Sequence, residues 1–288
     1  MSAASRIRHS FVGKAARRAI HVLYKLEHRG DAPVHYELPG GVSIDLYPEG
    51  EIAEFLAFNR LFERTELALV RAFLKPGMNV VDAGANIGLY SILADKLVAP
   101  GGNVWAFEPS PESFVRLKKN LLLNGGRSVR PCRVALSDRA DSTMHLKCDP
   151  GFGDAYRYLV TASPEDGIAG EGLEAVSVTT LDDWAAENGI AQVDFLKVDI
   201  EGGEFRMLLG AQEVLRSNPG IVVFFESEPD WCRRAGCRQE DAFELLEKLG
   251  FGLFTWNARA REWQTERRAL LQAGMVWATR ERSRLPVT

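Results

Sequence analysis

The chain has 288 residues, 46% hydrophobic and 26% charged, an ordinary folded-protein composition with room for one large domain or two small ones. Its net charge of −4 is unevenly spread: residues 1–30 carry seven basic side chains against the single acid Glu27, giving that segment +6 and the remainder −10. The acidic body excludes a general nucleic-acid surface, whose affinity comes chiefly from Lys and Arg, and no apolar run approaches the ~20 residues that span a bilayer.

Residues 10–28 place Phe11, Ala15, Ala19, Leu23 and Leu26 at helical spacing among Lys14, Arg17, Arg18 and Lys25. Such a segment packs on its own domain with a solvated basic face, or lies on an anionic membrane surface. A hairpin follows, His35–Leu38 and Val42–Leu46, turning at Pro39-Gly40-Gly41. Residues 51–74 read as a helix stopped by Pro76-Gly77.

Beyond that point short apolar strands alternate with helices. Strands are expected at Val80–Ala83, Val104–Glu108, Cys132–Leu136, Val193–Val198, Ile221–Glu226, Leu253–Trp256 and Met275–Ala278. Helices are expected near 87–98, 111–123, 182–188, 203–216 and 240–249. The alternation predicts an α/β fold: a doubly wound, mostly parallel, seven-stranded Rossmann-like sheet with helices on both faces and an N-terminal helix and hairpin extension. Residues 1–50 form that extension and 51–288 the main domain. The Gly-rich stretch 149–175 breaks the alternation and reads as an inserted loop over the sheet's end, placed to serve as a substrate lid.

The segment Val80-Val81-Asp82-Ala83-Gly84-Ala85-Asn86-Ile87-Gly88 is a strand, a Gly-rich turn and a helix start. Ligands in open parallel sheets sit at the carboxyl ends of strands, where this turn falls. The next strand ends in Glu108, twenty residues beyond Gly88, the place for a carboxylate that grips ribose hydroxyls. Pro109 and the N-cap Ser110 follow it. A nicotinamide enzyme shares these features, but the carboxylate of Asp82 sits badly beside a pyrophosphate. It suits the ammonium of S-adenosylmethionine. Ser137 and Asp138, ending the third strand, are candidates for the adenine. The candidate cofactor-binding residues are Asp82, Gly84, Asn86, Gly88, Glu108, Pro109, Ser137, Asp138 and Asp199.

At the catalytic end, Phe195-Leu196-Lys197-Val198-Asp199-Ile200-Glu201 is a buried strand delivering carboxylates to the ligand edge, and the next strand delivers Glu226. Asp199, Glu201 and Glu226 are the catalytic candidates, as bases for an attacking hydroxyl or as ligands of Mg²⁺, which favours carboxylates, waters and substrate oxygens. Glu204 divides between a site role and a charge at a helix N-terminus. His145, Tyr90 and Lys197 are alternative bases. The cysteines Cys132, Cys148, Cys232 and Cys237 lack metal-binding spacing, and a reducing, cytoplasmic compartment fits them, with peripheral membrane contact through residues 1–30 as the second possibility.

Read together, Asp82-Ala83-Gly84-Ala85-Asn86-Ile87-Gly88-Leu89-Tyr90, Ala106-Phe107-Glu108-Pro109, Asn120-Leu121-Leu122-Leu123-Asn124, Val134-Ala135-Leu136-Ser137-Asp138, Thr180-Leu181-Asp182-Asp183 and Val193 through Glu204 resemble the FkbM family of methyltransferases. Gly203 stands where that family usually has alanine. The resemblance implies S-adenosylmethionine as methyl donor and O-methylation of a small-molecule or glycan acceptor, often a sugar or polyketide. A scaffold protein that binds the cofactor without turnover and a nicotinamide oxidoreductase are the competing readings.

Overall fold

In the computed structural model, the structure describes residues 32–38, 40–47, 64–140, 144–148, 157–161, 173–272 and 274–286. The expected basic helix at 10–28 and the first part of the helix expected at 51–74 lie outside these residues.

The described residues begin with a hairpin of β1 (Val34–Leu38) and β2 (Val42–Leu46); α1 (Arg64–Phe73) is the first described helix. Then come β3 (Asn79–Ala83), α2 (Leu89–Val98), β4 (Asn103–Phe107), α3 (Pro111–Leu123) and β5 (Val129–Cys132). The strand expected at Cys132–Leu136 is split. β5 joins the central sheet, whereas β6 (Ala135–Leu136) pairs with β10 (Val178–Thr179) in a separate two-stranded ladder. Arg133-Val134 carries the chain from one sheet to the other.

The expected loop at 149–175 is also corrected: part of it is strand. Here β7 (Met144–Cys148) pairs with β8 (Arg157–Thr161) and β9 (Leu173–Ala175) in a three-stranded antiparallel sheet. Met144 and Leu146 of β7 are buried with Ala135, Val176 and Val178 in a small core of their own.

After α4 (Leu181–Glu187) and β11 (Phe195–Val198) the helix expected at 203–216 appears as two, α5 (Glu204–Leu209) and α6 (Gln212–Ser217), broken at Gly210. An added Cβ at Gly210 would stand 2.0 Å from the Ser137 carbonyl oxygen. The fold continues through β12 (Val222–Glu226), α7 (Pro229–Arg234), α8 (Gln239–Lys248), β13 (Gly252–Asn257), β14 (Glu262–Gln264), α9 (Arg267–Leu270) and β15 (Met275–Thr279).

The central sheet has the order β14-β13-β15-β12-β11-β3-β4-β5. The five strands from β12 to β5 are parallel; β15 runs antiparallel between β12 and β13. Seven strands were expected, and the eighth is β14, which closes a short antiparallel ribbon on β13.

Period-two alternation divides the apolar side chains between two cores. Val80, Val104, Ala106, Phe195, Val222 and Phe224 face one core with α2, α3 and the hairpin. Val81, Trp105, Phe107, Leu196, Val198, Val223 and Phe225 face the other with α4, α5, α6 and α8. The same parity directs Asp82, Lys197, Asp199 and Glu226 toward the first face.

The hairpin docks through two helical amides. Asn120 on α3 and the C-cap residue Asn124, one turn apart, meet Asp45 and Ser43, two residues apart on β2. Asn124 Oδ1 accepts from the Ser43 amide at 2.9 Å, and Asn120 Oδ1 accepts from the Asp45 amide at 2.8 Å. Their Nδ2 groups donate back to the carbonyls of the same residues. Each side chain thus stands in for a neighbouring strand's peptide group, and the exposed edge of β2 is satisfied without another strand. Val42, Ile44 and Leu46 fall into the first core, so the hairpin shares the core of the main fold.

Candidate active site

The turn after β3 is built from backbone. The amides of Gly84 and Ala85 both donate to the Phe107 carbonyl, at 3.0 and 2.9 Å, tying this turn to the end of β4. Gly84 has φ +79°, and an added Cβ would stand 1.9 Å from the Asp199 carbonyl oxygen. Only glycine lets β3 and β11 end this close together. Asn86 takes a left-handed φ of 50°, and its amide donates to Glu108 Oε2 at 2.8 Å. Glu108 Oε1 accepts from the Ser110 amide at 2.9 Å. Pro109, half-buried, lies between these two partners. Ser137 is buried with its hydroxyl donating to Asp138 at 3.0 Å, and its amide donates to the Thr179 carbonyl.

Asp82, expected from the sequence to meet a ligand's ammonium, already has two partners within the chain. Its side chain is 1% exposed and paired with Lys197 at 3.1 Å, while its second oxygen accepts from the Ser91 hydroxyl at 2.6 Å. The cause is register: Asp82 and Lys197 are lateral neighbours on β3 and β11 and face the same core. Ser91 reaches them from the first turn of α2. A buried carboxylate must be paired and hydrogen-bonded, and Asp82 is both.

Lys197 is the hub of this arrangement. Its ammonium, 3% exposed, also lies 3.4 Å from Asp199, donates to the Gly84 carbonyl at 3.1 Å and stands 5.0 Å over the Tyr90 ring. Sequence reasoning considered Lys197 and Tyr90 as bases. The Lys197 nitrogen lies between the carboxylates of Asp82 and Asp199 and joins the Gly84 turn to the end of β11.

Beyond Lys197 three carboxylates converge. Asp199, Glu201 and Glu226, all half-buried, offer oxygens that lie within 4.8 Å of one another. The pairing of Val198 with Phe225 brings Asp199 and Glu226 to matching positions just past the ladder of β11 and β12. Glu201 arrives differently. The Gly203 amide donates to the Ile200 carbonyl at 3.3 Å, and Glu201 and Gly202 have φ of 55° and 98°. Two central residues with positive φ mark the type I′ pattern, where Asn or Gly is at ease and Glu is not. Holding a non-glycine there costs on the order of 1–2 kcal/mol. Glu204, 3% exposed, accepts from the amides of Ile200 and Gly202 through one oxygen, at 2.9 and 3.2 Å. Burial, reinforced by the Asp199 charge, raises its carboxyl to about 7 against the hydrogen bonds it receives.

His145 stands in β7, paired with Val160 and Ala175, and is not among the three converging acids. One contact was missed from sequence. Asn120, 1% exposed, donates to the Ile87 carbonyl at 2.9 Å, so the residue that anchors the hairpin also holds the Gly84–Gly88 turn.

A family model described as the methyltransferase FkbM domain matches residues 82–253, running from the buried Asp82 through both carboxylate-bearing strands to β13. The chain belongs to the FkbM methyltransferase family. Among its relatives is the 31-O-demethyl-FK506 methyltransferase FkbM of Streptomyces tacrolimicus, 33% identical over 202 residues, 61% of this chain and 75% of that one. The 2-O-methyltransferase NoeI of Sinorhizobium fredii is 27% identical, over 56% of this chain and 68% of the relative. The hexuronic acid methyltransferase AglP of Haloferax volcanii is 28% identical, over 58% and 60%.

As an FkbM methyltransferase the chain depends on S-adenosylmethionine, and the donor set suits that molecule. The turn from Gly84 to Tyr90 has no basic side chain to meet a pyrophosphate. Glu108 sets an acceptor carboxylate at the end of β4, the position a ribose diol would meet. The family's Thr180-Leu181-Asp182-Asp183 motif has a structural explanation. Thr180 caps α4 by accepting from the Asp183 amide at 2.9 Å, and Asp182 accepts from the amides of Glu213 and Val214 at the start of α6.

Proposed function

We propose that this FkbM-family enzyme methylates a hydroxyl of a sugar, glycan, polyketide or related small molecule. The observation that carries the reading is the convergence of Asp199, Glu201 and Glu226 within 4.8 Å, one of them ion-paired to the lysine that reaches the cofactor turn. The names of the relatives, a demethyl-FK506 methyltransferase, a 2-O-methyltransferase and a hexuronic acid methyltransferase, support a hydroxyl-bearing acceptor. S-adenosylmethionine supplies an electrophilic methyl group.

The chain supplies position and charge. The Gly84–Gly88 turn with Asn86, Glu108 with Pro109, and Ser137 with Asp138 hold the aminoacyl, ribose and adenine parts respectively. Asp82 acts indirectly, by fixing Lys197. Lys197 lies 3.4 Å from Asp199 and fixes its place, and Asp199 takes the proton of the attacking hydroxyl, with Glu201 and Glu226 orienting that hydroxyl. Positioned general-base catalysis contributes typically 10²–10⁴-fold.

Asp199→Asn keeps the shape and removes the charge. On a panel of simple glycosides and polyketide alcohols with labelled S-adenosylmethionine, turnover should fall by at least about a hundredfold, with cofactor affinity largely kept. Near-normal turnover would overturn the base assignment. The three carboxylates equally suit a Mg²⁺ ion, and EDTA decides that version. Activity lost to EDTA and restored by Mg²⁺ makes Asp199 a ligand; indifference to EDTA keeps it a base. For the cofactor, Glu108→Ala should weaken S-adenosylmethionine binding by roughly 1.5–3 kcal/mol in calorimetry. Unchanged affinity in a folded variant would remove the ribose role.

A further inference from the structure

Glu201 is the member of the carboxylate group whose placement needs explaining. Asp199 and Glu226 are delivered by paired strands, but Glu201 sits past the end of β11 at a left-handed position in the Ile200–Gly203 turn. Sequences that form such turns easily put Asn, Asp or Gly there, and their short side chains would not reach as Glu does. The conformation persists only where the surroundings enforce it.

Two contacts enforce it. Gly202, with φ 98°, packs so closely on α7 that an added Cβ would stand 2.5 Å from the Trp231 carbonyl oxygen. Glu204 then folds back from the first turn of α5, and one carboxylate oxygen takes the amides of Ile200 and Gly202, the residues on either side of Glu201. Those amides have no helix or strand partner in the turn, so the clasp satisfies them while it bends the chain.

We propose that Glu204 is a positioning residue for methyl transfer: by clasping the amides of Ile200 and Gly202 it holds Glu201 in the left-handed turn and so completes the group formed with Asp199 and Glu226. It touches neither acceptor nor cofactor and acts through Glu201. This rests on the proposed role of those three carboxylates, and the test separates the two claims.

Hydrogen exchange at the amides of Ile200 and Gly202, followed by NMR, reads the clasp without any acceptor. Glu204→Gln keeps a side-chain oxygen that can accept both amides; Glu204→Met keeps the length and cannot accept. Exchange at both amides should quicken at least tenfold in Glu204→Met and stay within about threefold of wild type in Glu204→Gln. The strand amides of Val222–Glu226 should be unchanged in both, which separates local release from unfolding. With labelled S-adenosylmethionine and the panel of simple glycosides and polyketide alcohols, kcat should fall at least tenfold in Glu204→Met and recover in Glu204→Gln. The dissociation constant for S-adenosylmethionine should stay within about threefold throughout.

Three results overturn the proposal: protected amides in Glu204→Met, unchanged kcat despite released amides, or a Gln variant as impaired as the Met variant. Glu201→Gln runs in parallel. If it retains full turnover, the carboxylate reading fails through Glu201, whatever the exchange data say of the clasp.

Discussion

Lys197 and Asp82 are lateral partners on β11 and β3, and their side chains meet at 3.1 Å in a setting where both are at most 3% exposed. Removing the ammonium leaves Asp82 as a buried anion with only the Ser91 hydroxyl and leaves Asp199 without its cation. Breaking one side of a buried pair typically costs 3–5 kcal/mol. Lys197→Met should therefore lose about that much stability at neutral pH, measured by urea unfolding. Adding Asp82→Asn removes the orphaned charge and should restore at least half of the loss. A double variant no more stable than Lys197→Met would show that the pair is not the source.

The glycines of the site should divide by what a Cβ would meet. At Gly84 it meets the Asp199 carbonyl at 1.9 Å and the φ is +79°, so space and conformation both refuse it. Gly84→Ala should cost more than about 2 kcal/mol and open the junction of β3 with β11. At Gly203 the nearest atom is the Ile200 Cδ1 at 3.0 Å, the far end of a flexible side chain, and φ is −80°, ordinary for alanine. Gly203→Ala should be neutral or should stabilise by up to about 1 kcal/mol, because it restricts the unfolded chain. Thermal melts of the two variants make the comparison. A large loss at Gly203 would mean that Ile200 cannot give way.

The fold was legible in the sequence because a parallel sheet covered on both faces announces itself as short apolar strands between amphipathic helices. Phe195-Leu196-Lys197-Val198 and Val222-Val223-Phe224-Phe225 needed no more than that. Parity along those strands also brought Asp199 and Glu226 together, as their placement at strand ends suggested. What escaped was the partner of each charge. Asp82 was read as a ligand group because its sequence position is right; that Lys197 and Ser91 neutralise it depends on the register of β3 with β11 and on the turn of α2, which are tertiary facts. The eighth strand was missed because Glu262-Trp263-Gln264 is short and mostly polar. β8 and β9 were missed because the glycines around them dominate the local pattern.

Asn120 and Asn124 offer a paired test of how the hairpin reaches the cofactor turn. Both accept from β2 amides, but only Asn120 also donates to the Ile87 carbonyl. Each alanine variant removes the partners of part-buried backbone groups on β2, at up to about 1 kcal/mol per group, and should loosen the hairpin. Asn120→Ala should in addition weaken S-adenosylmethionine binding severalfold, whereas Asn124→Ala should leave it within about twofold. Calorimetry with S-adenosylmethionine reads the difference. Equal effects on affinity would mean that the hairpin as a whole, and not the Ile87 contact, steadies the turn.

The buried carboxyl of Glu204 should leave a signature in the pH dependence of stability. Its folded value is raised to about 7 from an ordinary 4.5, chiefly by burial. The ionisable groups around it are Asp199, whose charge pushes it further up, and Cys232 and Cys237, whose thiols feel its charge in turn. Between about pH 4.5 and 7 the folded protein holds a proton at this site that the unfolded chain has released. The unfolded state then binds fewer protons, so this group's contribution to stability falls as pH rises through that window and is flat on either side. Each pH unit across the window is worth about 1.4 kcal/mol, so the whole fall is about 3 kcal/mol. Glu204→Gln cannot titrate, yet it can still accept from the Ile200 and Gly202 amides. Urea unfolding at pH 5 and pH 8 should therefore show wild type losing more stability than Glu204→Gln by up to that amount. Gln mimics the neutral carboxyl, so the two proteins should be closest at pH 5 and the Gln variant the more stable at pH 8. Identical pH profiles would mean that Glu204 titrates at its ordinary value, the hydrogen bonds from the loop amides offsetting its burial.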